Sequence, residues 1–161
     1  TFEPEEDGYN TILENIKLNK VKNVTALNMA VSEQDNDIKF YSRPDKNTHS
    51  IFNKTTAPSP TGVQNEKVIK SLTIESVIKN YGIETVKLVK IDVEGAELKV
   101  LDGIKDAKNK IQIIFVEIHE KLLNLENITN PFQAVEEKLN HLGFTKQKYL
   151  GPIHLLAIRS K

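Results

Sequence analysis

Apolar side chains at Tyr9, Ile12, Leu13 and Ile16, with Val21 beyond them, recur at helical spacing and predict an amphipathic helix over residues 7–20. The period then changes. Residues 24–29 read as a strand and residues 37–41 alternate as a second, with the Asp35-Asn36 pair between them supplying turn chemistry for a hairpin. Residues 42–66 form a polar stretch with no period and three prolines, a length that points to a lid, a binding loop or disorder; His49 and Ser50 lie in it. A short apolar alternation over 68–72 leads to Thr73, a natural N-cap for a helix over 74–81 that stops at Gly82.

Residues 86–91 are short and β-branched, end in Asp92-Val93-Glu94-Gly95, and give way at once to a helical pattern carried by Leu98, Val100, Leu101 and Ile104. Residues 111–118 repeat the design as a nearly continuous apolar strand ending at His119. Continuous apolar strands followed by helices predict a parallel sheet covered on both faces. Pro131 opens a last helix with Phe132, Val135, Leu139 and Leu142 on one face and Gly143 as its stop. Strands over 144–149 and 153–158 close the chain, and Gly151-Pro152 between them predicts an antiparallel hairpin at the sheet edge. The fold class is therefore α/β, in a single domain spanning residues 1–161.

Composition narrows the chemistry. Lys plus Arg and Asp plus Glu both number 22, so no basic excess is available to neutralise a nucleic-acid backbone. The absence of Cys removes disulfides, thiolate zinc sites and cysteine nucleophiles together. The longest apolar runs, 113–116 and 155–158, fall far short of the roughly 20 residues a membrane span needs, and no signal-peptide pattern is visible, which makes the cytoplasm the default. The chain opens with Thr1 and not Met, which reads as a piece of a longer protein or a processed product.

Ligands of open α/β sheets bind beyond the carboxyl ends of the strands. Asp92 and Glu94 stand at one such end, Glu117 and His119 at the next, each pair at i, i+2 and so on one face while the backbone stays extended. If the two strands are neighbours, the carboxylates and the imidazole converge on one substrate or one divalent ion, with Asp92, Glu117 and His119 as metal ligands, and the crowding favours a general base near neutrality. Simpler readings stand beside this. Asp92 caps the following helix, Glu94 favours that helix's N-terminus electrostatically, His119 bonds backbone at a strand exit, and Glu97 and Lys99 form a solvated face. At the other end of the chain, Glu3 ends a short strand just before the first helix, where nucleotide-binding α/β folds place an acid that accepts from both ribose hydroxyls.

Phe2-Glu3-Pro4, Asn15-Ile16-Lys17-Leu18-Asn19, Asn28-Met29-Ala30-Val31-Ser32, the block Lys90-Ile91-Asp92-Val93-Glu94-Gly95-Ala96-Glu97 and Glu117-Ile118-His119 together resemble the FkbM family of S-adenosylmethionine-dependent methyltransferases. The resemblance implies a class I, Rossmann-like methyltransferase fold: a mostly parallel seven-stranded sheet of order 3-2-1-4-5-7-6 closed by a C-terminal antiparallel hairpin. It implies methyl transfer from S-adenosylmethionine to a hydroxyl of a small metabolite or sugar. Carried over, Glu3 binds the cofactor ribose, Met29 and Ala30 border the adenine, Asp92 stands at the transfer site as orienter or metal ligand, and Glu117 and His119 lie on the acceptor side, His119 as base. The family's glycine-rich loop belongs just ahead of Glu3, so the chain begins too late for it and for the first, central strand, and the open edges this leaves invite homo-oligomerisation. Two other classes keep the same residues: a metal-dependent hydrolase built on Asp92, Glu94, Glu117 and His119, and a noncatalytic remnant of the fold.

Overall fold

The computed structural model describes residues 1–42 and 65–160. The long loop expected over residues 42–66, with His49 and Ser50, lies outside the described residues except at its ends, where Ser42 closes one strand and Asn65 opens the next. Helix α1 runs Glu6–Leu18, followed by strands β1 (Ala30–Val31), β2 (Asn36–Ser42) and β3 (Asn65–Leu72), helix α2 (Ile74–Asn80), strand β4 (Val86–Ile91) and helix α3 (Glu97–Asp102). A 3-10 helix at Lys105–Lys110 leads into β5 (Ile111–Glu117), α4 (Glu120–Leu125), α5 (Pro131–His141), β6 (Lys146–Tyr149) and β7 (His154–Ile158). Among the described residues no helix is long and apolar enough to cross a membrane.

The strands form two sheets. One has the order β1-β3-β2, the other β4-β5-β7-β6. The second order reproduces the 4-5-7-6 half of the arrangement that the resemblance implies, with the expected hairpin of β6 and β7 at its edge. The expectation of a mostly parallel sheet is corrected: β1 with β3 and β4 with β5 are parallel, but β2 with β3, β5 with β7 and β6 with β7 are antiparallel, so the sheets are mixed. Physically, β6 and β7 are joined by a tight turn, and strands so connected can only run antiparallel.

A second correction concerns the strand expected over 24–29. Only an isolated parallel bridge, Phe2 with Leu27, forms there, held by Glu3 N–H to Leu27 O at 3.1 Å and Leu27 N–H to Thr1 O at 3.0 Å. Pro4 has no N–H with which to continue the ladder. The residues at 37–41 are a strand, but their partner is β3 and not the preceding segment.

The core lies on one face of the β4-β5-β7-β6 sheet. Ile114 and Val116 of β5, Leu155 and Ala157 of β7, Val100, Leu101 and Ile104 around α3, and Val135 and Leu139 of α5 are buried together. Each large aliphatic among them contributes roughly 1.5–3 kcal/mol by leaving water. Cover on both faces was expected, yet Ile113, Phe115 and Glu117 on the opposite face of β5 are only half-buried and Leu88 of β4 is 54% exposed. Helices α3, α4 and α5 contribute to the buried cluster, whereas α1 buries no residue at all.

Asp35 ties the turn before β2 to the start of α2. Its carboxylate accepts from Thr73 N–H at 2.6 Å and from the Ser76 hydroxyl, while Thr73 Oγ1 caps the helix by accepting from Ser76 N–H at 3.0 Å. These bonds, that from Ser76 foremost, hold the Asp35 carboxyl below the usual carboxylate range. A lowered folded-state value stabilises above the ordinary range and is lost as the pH falls through it. Asp35→Ala is therefore expected to cost about 1 kcal/mol at neutral pH, with the difference from wild type narrowing as the pH falls below the ordinary carboxylate range, as urea titrations at neutral and acid pH will read.

Candidate functional site

Strands β4 and β5 are parallel neighbours, with Ile91 opposite Val116, so their carboxyl ends discharge Asp92 and Glu117 side by side. Beyond β4 the chain turns through two left-handed residues, Glu94 at φ +50° and Gly95 at φ +97°. Gly adopts this conformation without cost, whereas Glu94 holds it under strain of the kind found at functional sites. The turn folds the Asp-Val-Glu-Gly segment back toward β5. There His119 Nε2 lies 3.9 Å from Asp92 Oδ1, 3.7 Å from Glu94 Oε1 and 3.9 Å from Glu117 Oε1. The four residues expected to converge do so.

The simpler readings of these residues mostly fail. Asp92 is no helix cap, because α3 begins at Glu97 with Ala96 at the cap and no side chain on it; Asp92 pairs instead with Lys90 Nζ at 2.6 Å. His119 bonds a side chain and not backbone with its ring. Its Nδ1 lies 2.7 Å from Glu97 Oε1, which also accepts from Gly95 N–H at 3.0 Å. Glu97, expected on a solvated face, is instead fully buried, and its Oε2 has no partner. Its neighbour Lys99 does reach the surface, where it pairs with Glu33 at 3.3 Å.

Burial pushes the Glu94 carboxyl above its usual range, and the charges of Asp92, Glu97 and Glu117 add to this against the opposing charge of His119. The Glu97 hydrogen bond raises His119 above the ordinary histidine range despite the opposite effect of burial, with the charges of Glu97, Glu94 and Asp92 adding to it. Asp92, Glu94 and His119 can each place one donor atom within 4.8 Å of the others, a spacing suited to a small cation as well as to a polar substrate.

His154 was not singled out from the sequence. It sits opposite Glu117 in the β5–β7 register, its Nε2 is 3.2 Å from Glu117 Oε2, and its ring stacks on Phe115 with centroids 5.5 Å apart. No local signal marks it, because its place beside Glu117 is set by the β5–β7 register.

Glu3, Met29 and Ala30 form a second group. Besides the Glu3 N–H bond to Leu27 O, the Asn28 side chain donates to Glu3 O at 2.9 Å, which fixes Glu3 against the turn that carries Met29 into buried Ala30. The Glu3 carboxylate accepts from Glu5 N–H at 2.9 Å through Oε1. A cavity of about 300 Å³ lies between Thr1, Phe2 and Val31 on one side and Val89, Ile91 and Asp92 on the other; of the expected site residues Asp92 lines it, and Glu3, Met29, Ala30, Glu117 and His119 do not.

The sequence profile of the methyltransferase FkbM domain matches residues 1–146. The hexuronic acid methyltransferase AglP of Haloferax volcanii is 28% identical over 120 residues, which cover 73% of this chain and 46% of that protein. The chain thus spans about half the length of the curated relative it matches. No solved structure gives a significant match.

Proposed function

Because the chain belongs to the FkbM methyltransferase domain family, we propose that it serves methyl transfer from S-adenosylmethionine to a hydroxyl of a small metabolite or sugar, with Asp92, Glu117 and His119 at the point of transfer. The observation that carries this reading is the convergence of Asp92, Glu94 and Glu117 on His119 beyond the carboxyl ends of β4 and β5. The residues expected at the cofactor suit it in kind. A carboxylate, Glu3, suits two ribose hydroxyls; Met29 and Ala30 are apolar neighbours for a flat base; and Asp92 offers negative charge where a sulfonium belongs.

When bound, the cofactor supplies an electrophilic methyl group on a good leaving group. The protein's own task is then to align the acceptor oxygen and take its proton. Alignment is worth up to about 7–11 kcal/mol and a positioned base about 10²–10⁴ in rate. The carboxylates of Asp92 and Glu117 orient the acceptor by accepting from its neighbouring hydroxyls, and the His119 ring stands between them to remove the proton of the reacting one. Glu117, shared between His119 and His154, stands on the acceptor side. The name of the Haloferax relative puts hexuronic acids and other sugars first among acceptors to try. The spacing of Asp92, Glu94 and His119 favours one other reading, a metal-dependent hydrolase.

Calorimetric titration of S-adenosylhomocysteine separates these. Saturable binding is expected, and Glu3→Gln, which keeps an acceptor for Glu5 N–H but removes the charge, should weaken it about tenfold. Equal binding by the variant removes Glu3 from the cofactor site. Absence of binding by the wild type, together with stoichiometric uptake of Mn²⁺, overturns the transferase reading in favour of the hydrolase.

A further inference from the structure

We propose that Glu97 is a positioning residue for proton removal: its buried carboxylate holds Nδ1–H of His119 and so leaves Nε2 as the atom that accepts the proton of the acceptor hydroxyl. The inference rests on the transferase reading above and adds to it a residue that touches no substrate.

Three observations carry it. First, a carboxylate is acceptor-only, so the 2.7 Å contact of Glu97 Oε1 with His119 Nδ1 requires the proton on Nδ1 and, in the neutral ring, a lone pair on Nε2. Second, Glu97 is rigidly seated. It has no exposed surface, lies at the start of α3, and its Oε1 is also held by Gly95 N–H at 3.0 Å, so the strained Glu94-Gly95 turn, the carboxylate and the imidazole form one unit. Third, both contacts that fix the carboxylate, to His119 Nδ1 and from Gly95 N–H, are made by the same oxygen, Oε1, while Oε2 makes none among the described residues, so the imidazole is the side chain this carboxylate holds.

The geometry on the far side of the ring agrees. The oxygens of Asp92, Glu94 and Glu117 stand 3.7–3.9 Å from Nε2, too far for direct hydrogen bonds, so none of these carboxylates takes up Nε2 as Glu97 takes up Nδ1. In the step, the hydroxyl proton passes to Nε2, the electron pair of the broken O–H bond stays on the acceptor oxygen, and the other ring proton stays on Nδ1, hydrogen-bonded to Glu97. The imidazolium so formed lies among four carboxylates, which favour it over the neutral ring.

The test pairs a spectroscopic readout with kinetics. In ¹⁵N-labelled chain without cofactor, long-range ¹H–¹⁵N spectra above the His119 titration should show Nδ1 protonated and Nε2 bare. In Glu97→Gln, whose amide can donate to Nδ1, the proton should move to Nε2. Methyl transfer from labelled S-adenosylmethionine to a hexuronic acid or free hexose should then fall about 10³-fold in kcat, by the logic of a misplaced tautomer, with KM for the cofactor within about twofold. Glu97→Asp keeps the charge at a longer reach and should recover part of the rate while retaining the wild-type tautomer. If Glu97→Gln does not fold, Glu97→Asp carries the test, and wild-type kcat in it overturns the proposal. An unchanged tautomer or an unchanged kcat in Glu97→Gln also overturns it. A wild-type chain that holds Nδ1–H but transfers no methyl group to any hydroxyl overturns the functional reading, and the positioning role falls with it.

Discussion

Replacing His119 by Ala lowers turnover by about 10²–10⁴ and leaves affinity for S-adenosylhomocysteine within about twofold. The separation follows from where the ring stands. His119 lies beyond the carboxyl end of β5 in contact with Glu97, whereas the residues expected at the cofactor, Glu3, Met29 and Ala30, sit around the Phe2–Leu27 bridge and β1. Loss of the ring removes the proposed proton acceptor without touching those residues. Among the described residues it is also the imidazole that faces Asp92, Glu94, Glu97 and Glu117 together, so the variant brings a stability cost as carboxylate repulsion goes uncompensated. Turnover is therefore compared at a temperature where both proteins are folded by circular dichroism. Wild-type turnover in a folded His119→Ala protein removes this residue from the chemistry.

Gly103→Ala destabilises the fold by about 3 kcal/mol, the upper end for overpacking a close contact. A Cβ at Gly103 would stand 2.2 Å from Ser32 O and 3.3 Å from Val100 O, and backbone atoms cannot turn aside as a flexible side chain can. Ser32 is pinned from its other side by its N–H bond to Leu72 O at 3.0 Å, and Gly103 O accepts from Glu75 N–H at 3.1 Å. The glycine thus seats the end of α3 directly on the segment after β1 and on the first turn of α2. Its φ of −74° is ordinary, so the penalty is steric and not conformational. At a helical glycine without such a neighbour the same change gains about 0.5–1 kcal/mol. Urea unfolding decides: a lower midpoint at an unchanged m-value is expected, and a neutral or stabilising result would mean that the close approach does not exist.

The elements that the sequence made legible are those whose cues are local. Residues 86–91 and 111–117 are short runs rich in Val and Ile between breakers, Thr73 and Gly82 bracket α2, and Gly151-Pro152 marks the β6–β7 turn. Because β4 and β5 are adjacent and parallel, Asp92 and Glu117 emerge side by side as the sequence leads one to expect, but the extended i, i+2 spacing does not hold at Glu94, which a left-handed turn at φ +50° brings back toward His119. What stayed hidden depends on contacts across the chain. Glu97 reads as an ordinary acidic residue in the first turn of a helix, and only the two left-handed residues before it turn its side chain inward onto His119. Helix α4 was missed because six residues directly after a strand end give too short a period to register. The partner of β2 is β3, reached across residues 43–64, and pairing over that distance has no local signature. His154 owes its place beside Glu117 to strand register, which no single segment encodes.

The central claim, that the Asp92–Glu97–Glu117–His119 cluster serves methyl transfer to oxygen, is tested most directly by incubating the chain with methyl-labelled S-adenosylmethionine and a panel of hexoses and hexuronic acids, then locating the label by mass spectrometry. The account predicts label on a hydroxyl oxygen of one acceptor class, dependent on His119 and Glu97. Label confined to nitrogen or carbon, or no label on any acceptor while S-adenosylhomocysteine binds saturably, would contradict it.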